Sequence, residues 1–206
     1  MMTPLLENRR FPLSQHTIGP FFPADYFQPG DNDLTRVSPS ANPCSTGEPF
    51  TLTGAVRKEG GEPVANAILE LWQADASGRF RHSEDPQGDQ ADPDFLGWGR
   101  AWSTAEGAYS FHSVRPGPYE ENGNTRAPHL NILVMGIGLM RIVETTLFFP
   151  NFPAENAKDP VLSVLPEDLR HLLVMRDNGV IDGVRNYGFD ILLRGQRGEE
   201  TPFFVT

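Results

Sequence analysis

The chain has 206 residues, 38% of them hydrophobic and 21% charged, and carries a formal net charge of −10. That length suits one domain with a proper core and an added arm, and the negative charge argues against nucleic acid or an anionic membrane as partner. The single cysteine, Cys44, excludes an internal disulfide and a cysteine metal cluster. Reduced cysteine usage suits a cytoplasm. The opening MMTPLLENRR reads neither as a signal peptide nor as a transit sequence. The longest apolar run, Ile132 to Met140, is too short to span a bilayer and is broken by Gly136 and Gly138. These features predict a soluble cytoplasmic protein.

Residues 1–48 are rich in Pro, Asn, Asp and Ser and show no sustained period of 2 or 3.6. This stretch reads as an N-terminal arm. Ile18, Phe21, Phe22 and Phe27 are too apolar for a free tail, so the arm is expected to lie across its own domain or a neighbour. From residue 49 to 206 the texture is that of a folded domain. Phe50–Val56 and Ala67–Gln73 alternate as strands, with Glu59–Glu62 as a turn between them. An acidic loop with Asp-Pro and Gln-Gly turn formers fills Ala74 to Asp94. Strand patterns resume at Gly99–Thr104, at Tyr109–Val114 after the Ala105-Glu106-Gly107 turn, at His129–Val134 and at Glu144–Phe149. Pro166–Arg176 reads as a helix, with Pro and two acids in its first turn and a stripe of Leu169, Leu172 and Leu173. Asn186–Leu193 and Pro202–Val205 close the chain as strands. The sum is an all-β fold, an antiparallel β-sandwich of about eight strands with one short helix and an extended N-terminal arm.

One stretch carries chemistry. His129 and Asn131 share a face of their strand, and Tyr119 stands upstream across a polar loop that can fold it back towards them. A phenol and an imidazole are plausible ligands for a hard, oxidised metal such as Fe(III), whereas an amide is a poor one. The blander alternative is a tyrosine packed in a turn beside a satisfied core histidine. His82, His112 and His171 supply no short ligand spacing. The acids from Glu84 to Asp94 read as a solvated surface. There is no Gly-x-Ser-x-Gly elbow and no phosphate-cradling glycine loop. From the residues alone this is an incomplete site on an all-β domain.

Several blocks make a resemblance specific. They are Ser14-Gln-His-Thr-Ile-Gly-Pro-Phe-Phe22, Leu69-Glu-Leu-Trp-Gln-Ala-Asp75 with Ala-Ser-Gly-Arg79 behind it, Phe95-Leu-Gly-Trp-Gly-Arg100, Pro116-Gly-Pro-Tyr119, Ala127-Pro-His-Leu-Asn131, Phe189-Asp-Ile-Leu-Leu-Arg-Gly195 and Glu200-Thr-Pro-Phe-Phe204. In this order, over nearly the whole chain, they resemble the intradiol ring-cleavage dioxygenase family. The Ala-Pro-His-x-Asn block resembles the α-type chains of its two-subunit, protocatechuate-cleaving members.

The resemblance implies a ligand set of two tyrosines and a His-x-His pair around Fe(III). Tyr119 matches one tyrosine and His129 the first histidine. Asn131 stands at the second histidine, and the other tyrosine belongs near Gln87, in a loop that has none. The implied cofactor is therefore Fe(III) bound by a β-type partner, with no functional metal site and no catalytic residue in this chain alone. The implied contribution of this chain is to the substrate cleft at the interface, through Thr17, Ile18, Gly19 and Pro20. A stiff, bare Gly-Pro backbone can approach a flat ring closely. A catechol-type substrate chelates iron as a dianion, reacts with O2 and is opened between its oxygenated carbons; protocatechuate would give 3-carboxy-cis,cis-muconate. One departure concerns the cleft position Ile137, where α-type chains often carry an arginine. Arg141, of the same strand parity, is a candidate substitute for recognising a substrate carboxylate. Two other readings stand beside this one: a non-catalytic structural or binding module of the same fold, and a self-sufficient dioxygenase for another catechol.

Overall fold

The structure, a computed structural model, describes residues 26–136, 138–196 and 198–204. The expected cleft residues Thr17, Ile18, Gly19, Pro20 and Ile137 lie outside the described residues, as do the arm's Ile18, Phe21 and Phe22. The strands are β1 (Pro49–Arg57), β2 (Ile68–Trp72), β3 (Trp98–Trp102), β4 (Ala108–Val114), β5 (Tyr119–Glu121), β6 (Asn124–Arg126), β7 (His129–Met135) and β8 (Val143–Phe148). Two short helices follow, α1 (Pro153–Asn156) and α2 (Pro160–Val164), then a 3-10 turn over Glu167–Leu173. The strands β9 (Arg176–Ile181), β10 (Val184–Gly188) and β11 (Ile191–Leu192) complete the fold.

Two sheets face each other. In one, β3, β2, β7 and β8 lie side by side, every neighbour antiparallel. In the other, β1 pairs antiparallel with β4 on one side and parallel with β10 and β11 on the other, while β9 pairs antiparallel with β10. The sandwich read from the alternating strands is therefore the observed fold. Leu52, Val56 and Phe111 from one sheet meet Leu69, Leu71, Leu130, Ile132 and Leu147 from the other in a single core. Each such fully buried side chain contributes roughly 2 kcal/mol of transfer free energy. Gln73, 2% exposed, ties the sheets together where β2 ends. Its amide donates to the Val114 carbonyl and its oxygen accepts from the Ser113 hydroxyl, at 2.8 and 2.7 Å.

Three local readings differ from the observed elements. The expected strand Asn186–Leu193 is broken in two. Phe189 N–H still bonds the Thr53 carbonyl, but the next acceptor on β1's ladder is replaced by the Asp190 carboxylate, which takes the Ala55 N–H at 2.9 Å. The expected helix Pro166–Arg176 is a 3-10 turn that stops at Leu173. Val174 N–H closes on the His171 carbonyl, and Met175 N–H crosses to the Phe148 carbonyl instead of prolonging a helix. Of the expected strand Pro202–Val205, Val205 lies outside the described residues, and the described part makes one bridge, Phe204 with Glu144.

Residues 26–34 are woven into the domain. Arg100 N–H bonds the Asp31 carbonyl and Leu96 N–H the Leu34 carbonyl on the β3 side, while on the β4 side Leu34 N–H bonds the His112 carbonyl and His112 N–H the Asn32 carbonyl. Leu34 is fully buried in the core. Gly99 makes this possible, since a β-carbon there would stand 2.9 Å from the Asp31 carbonyl oxygen.

Candidate functional site

The site forms on the outer face of the β3-β2-β7-β8 sheet. Along β7, Leu130, Ile132 and Val134 enter the core, so His129 and Asn131 point outward together. A second, smaller cluster of Ala127, Phe148, Leu162 and Leu173 covers part of this face beneath α2 and the 3-10 turn. His129 packs against it, its ring 5.8 Å from that of Phe148.

Tyr119 reaches His129 by way of a hairpin that alternation alone does not reveal. Asn122 and Gly123 turn the chain with φ of 51° and 77°, the left-handed pair that a tight two-residue hairpin needs. β5 and β6 pair through it, setting Tyr119 opposite Arg126. The Tyr119 hydroxyl then lies 3.3 Å from His129 Nε2. His129 Nδ1 lies 2.6 Å from the Ala127 carbonyl, and a carbonyl only accepts. Nδ1 therefore carries the proton, Nε2 is the bare nitrogen, and the phenol donates to it. Burial, helped by the Arg126 charge, lowers the His129 pKa to about 4. Burial also pushes the Tyr119 pKa up to about 12. Both groups are neutral near pH 7, and each satisfies the other.

Behind the pair sits a buried charge cluster. Arg126 Nε donates to Asp159 Oδ2 at 3.0 Å, and another guanidinium nitrogen bonds Glu121. The same Asp159 carboxylate takes the Ala127 N–H and, as N-cap of α2, the Val161 N–H, each at 2.9 Å. It thereby fixes the backbone that presents His129.

In front of the pair opens a cleft of about 590 Å³ whose lining includes Trp72, Phe80, Gln87, Tyr119 and Asn131. Its floor is aromatic. Trp72 and Phe80 are parallel within 8°, and Phe80 stands edge-on to Tyr119 at 5.0 Å between centroids. The loop above is braced by Asp75, 4% exposed. Its carboxylate takes the N–H groups of Ser77, Arg79 and Asp92. Most of the acids from Glu84 to Asp94 are exposed or half-buried. The structure thus brings Tyr119, His129, Asn131 and Gln87 to one place. It leaves Arg141 exposed, and keeps His112 and His171 away from this cleft.

The two amides are occupied. Asn131 Oδ1 accepts from the Thr146 hydroxyl at 2.9 Å, and Gln87 Oε1 from Arg79 Nε at 3.2 Å. Among the described residues no three His, Cys, Asp or Glu side chains cluster as a metal site. Sequence reasoning misses the Arg126–Asp159 pair, whose partners lie 33 residues apart without a shared motif. It also misses the hairpin, whose signal is the Asn-Gly dipeptide.

Comparison with known proteins places this geometry. Residues 18–195 match the family model described as Dioxygenase. The chain is 36% identical to the protocatechuate 3,4-dioxygenase beta chain of Burkholderia cepacia, over 98% of its own length and 84% of that protein. It is 33% identical to the alpha chain from the same organism, over 91% and 94%. The Pseudomonas putida alpha chain is 32% identical, over 80% and 79%. Catechol 1,2-dioxygenase from Acinetobacter sp. ADP1 shares the fold with a TM-score of 0.60 at 18% identity, over 84% of this chain and 60% of that one. The dioxygenase domain from Streptomyces sp. SirexAA-E does so at 0.56 and 23%, over 87% and 96%. The chain belongs to the intradiol ring-cleavage dioxygenases, a family of iron enzymes. Within it the chain is related to both chain types of protocatechuate 3,4-dioxygenase, at nearly equal identity. No helix among the described residues is long and apolar enough to cross a membrane.

Proposed function

We propose that this chain is the α-type subunit of a hetero-oligomeric, cytoplasmic protocatechuate 3,4-dioxygenase, part of aromatic catabolism through the β-ketoadipate route. Its iron is held by a β-type partner, and the complex cleaves 3,4-dihydroxybenzoate with O2 to 3-carboxy-cis,cis-muconate. One observation carries the reading. At the family's iron position the two remaining donors, Tyr119 and His129, are bonded to each other, while Asn131 turns its amide oxygen to Thr146. Neutral phenol, neutral amides and a single imidazole do not fit Fe(III), which calls for anionic phenolates and a second imidazole. Similarity to a β chain at 36% does not favour a self-sufficient enzyme, because identity elsewhere cannot replace two missing ligands.

In this reading the chain's part in the reaction is to bind and orient. Thr17, Ile18, Gly19 and Pro20 line the partner's cleft, and residue 137 borders it as Ile137, with Arg141 the cation nearest in sequence for a substrate carboxylate. The test is purification with and without a β-type chain. The isolated chain is expected to be colourless and to lack stoichiometric iron. Co-expression is expected to give a tight red complex that consumes O2 with protocatechuate. Stoichiometric iron in the isolated chain would overturn the proposal, and failure to form an active complex would leave a non-catalytic module of the same fold.

A further inference from the structure

The block Phe95–Arg100 has no part in the cleft or in the Tyr119–His129 pair, yet Arg100 is held by several partners at once. Its Nε and Nη2 both bond Glu70 Oε1, and only 15% and 17% of the two side chains are exposed. Nη1 donates to the Tyr26 carbonyl at 2.8 Å, and the guanidinium carbon lies 3.9 Å from the centroid of the Tyr26 ring. The Trp98 ring flanks the same guanidinium at 4.9 Å. Meanwhile the Arg100 backbone N–H holds Asp31, and Phe27 lies on Trp102 with centroids 4.2 Å apart. Residues 26–31 are thus gripped from both ends by β3.

We infer that Arg100 is a positioning residue that clamps the root of the N-terminal arm at Tyr26, and so sets how well Thr17–Pro20 present to substrate in the complex. This rests on the reading that those residues line the partner's cleft. Five residues lie between Pro20 and Tyr26, and the six peptide steps reach at most about 20 Å. Fixing the root raises the effective concentration of the arm at the cleft without any new contact to substrate. A planar guanidinium is suited to the task, because it can hold a carboxylate and a carbonyl at once, whereas an ammonium on its flexible stem cannot do both in one geometry.

The test is Arg100→Lys, which keeps the charge beside Glu70 and loses the fork. In the complex with the β-type chain, KM for protocatechuate is expected to rise on the order of tenfold, the size of one lost charge-assisted hydrogen bond, with kcat and iron content unchanged. Phe27→Ala, which leaves the ion pair alone, is expected to shift KM the same way and serves if Arg100→Lys folds poorly. Wild-type KM in both variants, or less assembled complex with wild-type KM in what assembles, would overturn the clamp. A bulky replacement at Gly19 separates the two ideas: if it raises KM while Arg100→Lys does not, the arm reading stands and the clamp falls. A readout free of activity uses a spin label at the exposed position Gln28→Cys in a Cys44→Ser chain. The label is expected to become more mobile on Arg100→Lys, and an unchanged spectrum would sink the clamp whatever the activity of the complex.

Discussion

Asp159 Oδ2 lies 3.0 Å from Arg126 Nε, with the aspartate side chain wholly buried and the arginine side chain 7% exposed. Removing charge from one partner strands the other in a low-dielectric interior, a loss of roughly 3–5 kcal/mol. Asp159→Asn keeps an oxygen to cap α2 but abandons Arg126. It is expected to lower the unfolding free energy by that amount, read as a fall in the urea midpoint equal to the loss divided by an unchanged m. A loss under about 1 kcal/mol, the surface-pair range, would mean that water reaches the pair in solution.

The Tyr119–His129 pair predicts a stability profile in pH. The His129 pKa falls from 6.5 to about 4 on folding, so the unfolded chain binds the extra proton first. The stabilisation is fully present above pH 6.5 and is lost as pH falls through about 4, to the extent of roughly 3 kcal/mol. Tyr119 has the opposite sign. Its pKa rises from 10 to about 12, so its contribution is complete below pH 10 and is lost as pH rises through about 12. Thermal unfolding from pH 4 to 8 is expected to show a slope that His129→Gln flattens. Identical slopes in the two proteins would place the titration elsewhere.

Gln87 and Asn131 line the same cleft as Tyr119, so the missing donors have a defined place to return to. The double variant Gln87→Tyr with Asn131→His is expected to bind Fe(III) and gain a visible tyrosinate-to-iron absorption band. Each single change is expected to leave the chain colourless. Iron titration followed by absorbance reads this directly. Strong iron binding by the unaltered chain or by one single variant would contradict the account of the site.

At Gly54 the space for a side chain is absent, because a β-carbon would overlap the Phe189 carbonyl. That carbonyl also accepts the Tyr109 hydroxyl at 2.7 Å. Gly54→Ala must push β1 away from the break between β10 and β11. An overpacking cost of about 1–3 kcal/mol or more is expected, measurable as reduced soluble yield and a lower Tm.

How far the sequence reveals this molecule depends on the range of the interaction. Period-2 alternation marks β1, β2 and β7 clearly, because each buries one face against the opposite sheet. The 3-10 turn carries a helical leucine stripe, yet Met175 is drawn across to Phe148, and no local pattern announces that. The polarity of β9 and of the first residues of β10 hides them, although Asp182-Gly183 is a hairpin signal, with φ of 51° and 82° in the structure. At the site, strand parity places His129 beside Asn131. The proton direction between Tyr119 and His129, by contrast, depends on the Ala127 carbonyl, which only the folded backbone brings into range.

The threading of residues 26–34 between β3 and β4 has a consequence for how the chain tolerates shortening. Those residues satisfy backbone groups on two strand margins at once and plug the seam with Leu34. A chain beginning at Pro49 would present both margins bare, flanked by Trp102, which is already 36% exposed. Unpaired margins of that kind recruit other strands. The shortened protein is therefore headed for self-association rather than for a smaller monomer, and light scattering would show it.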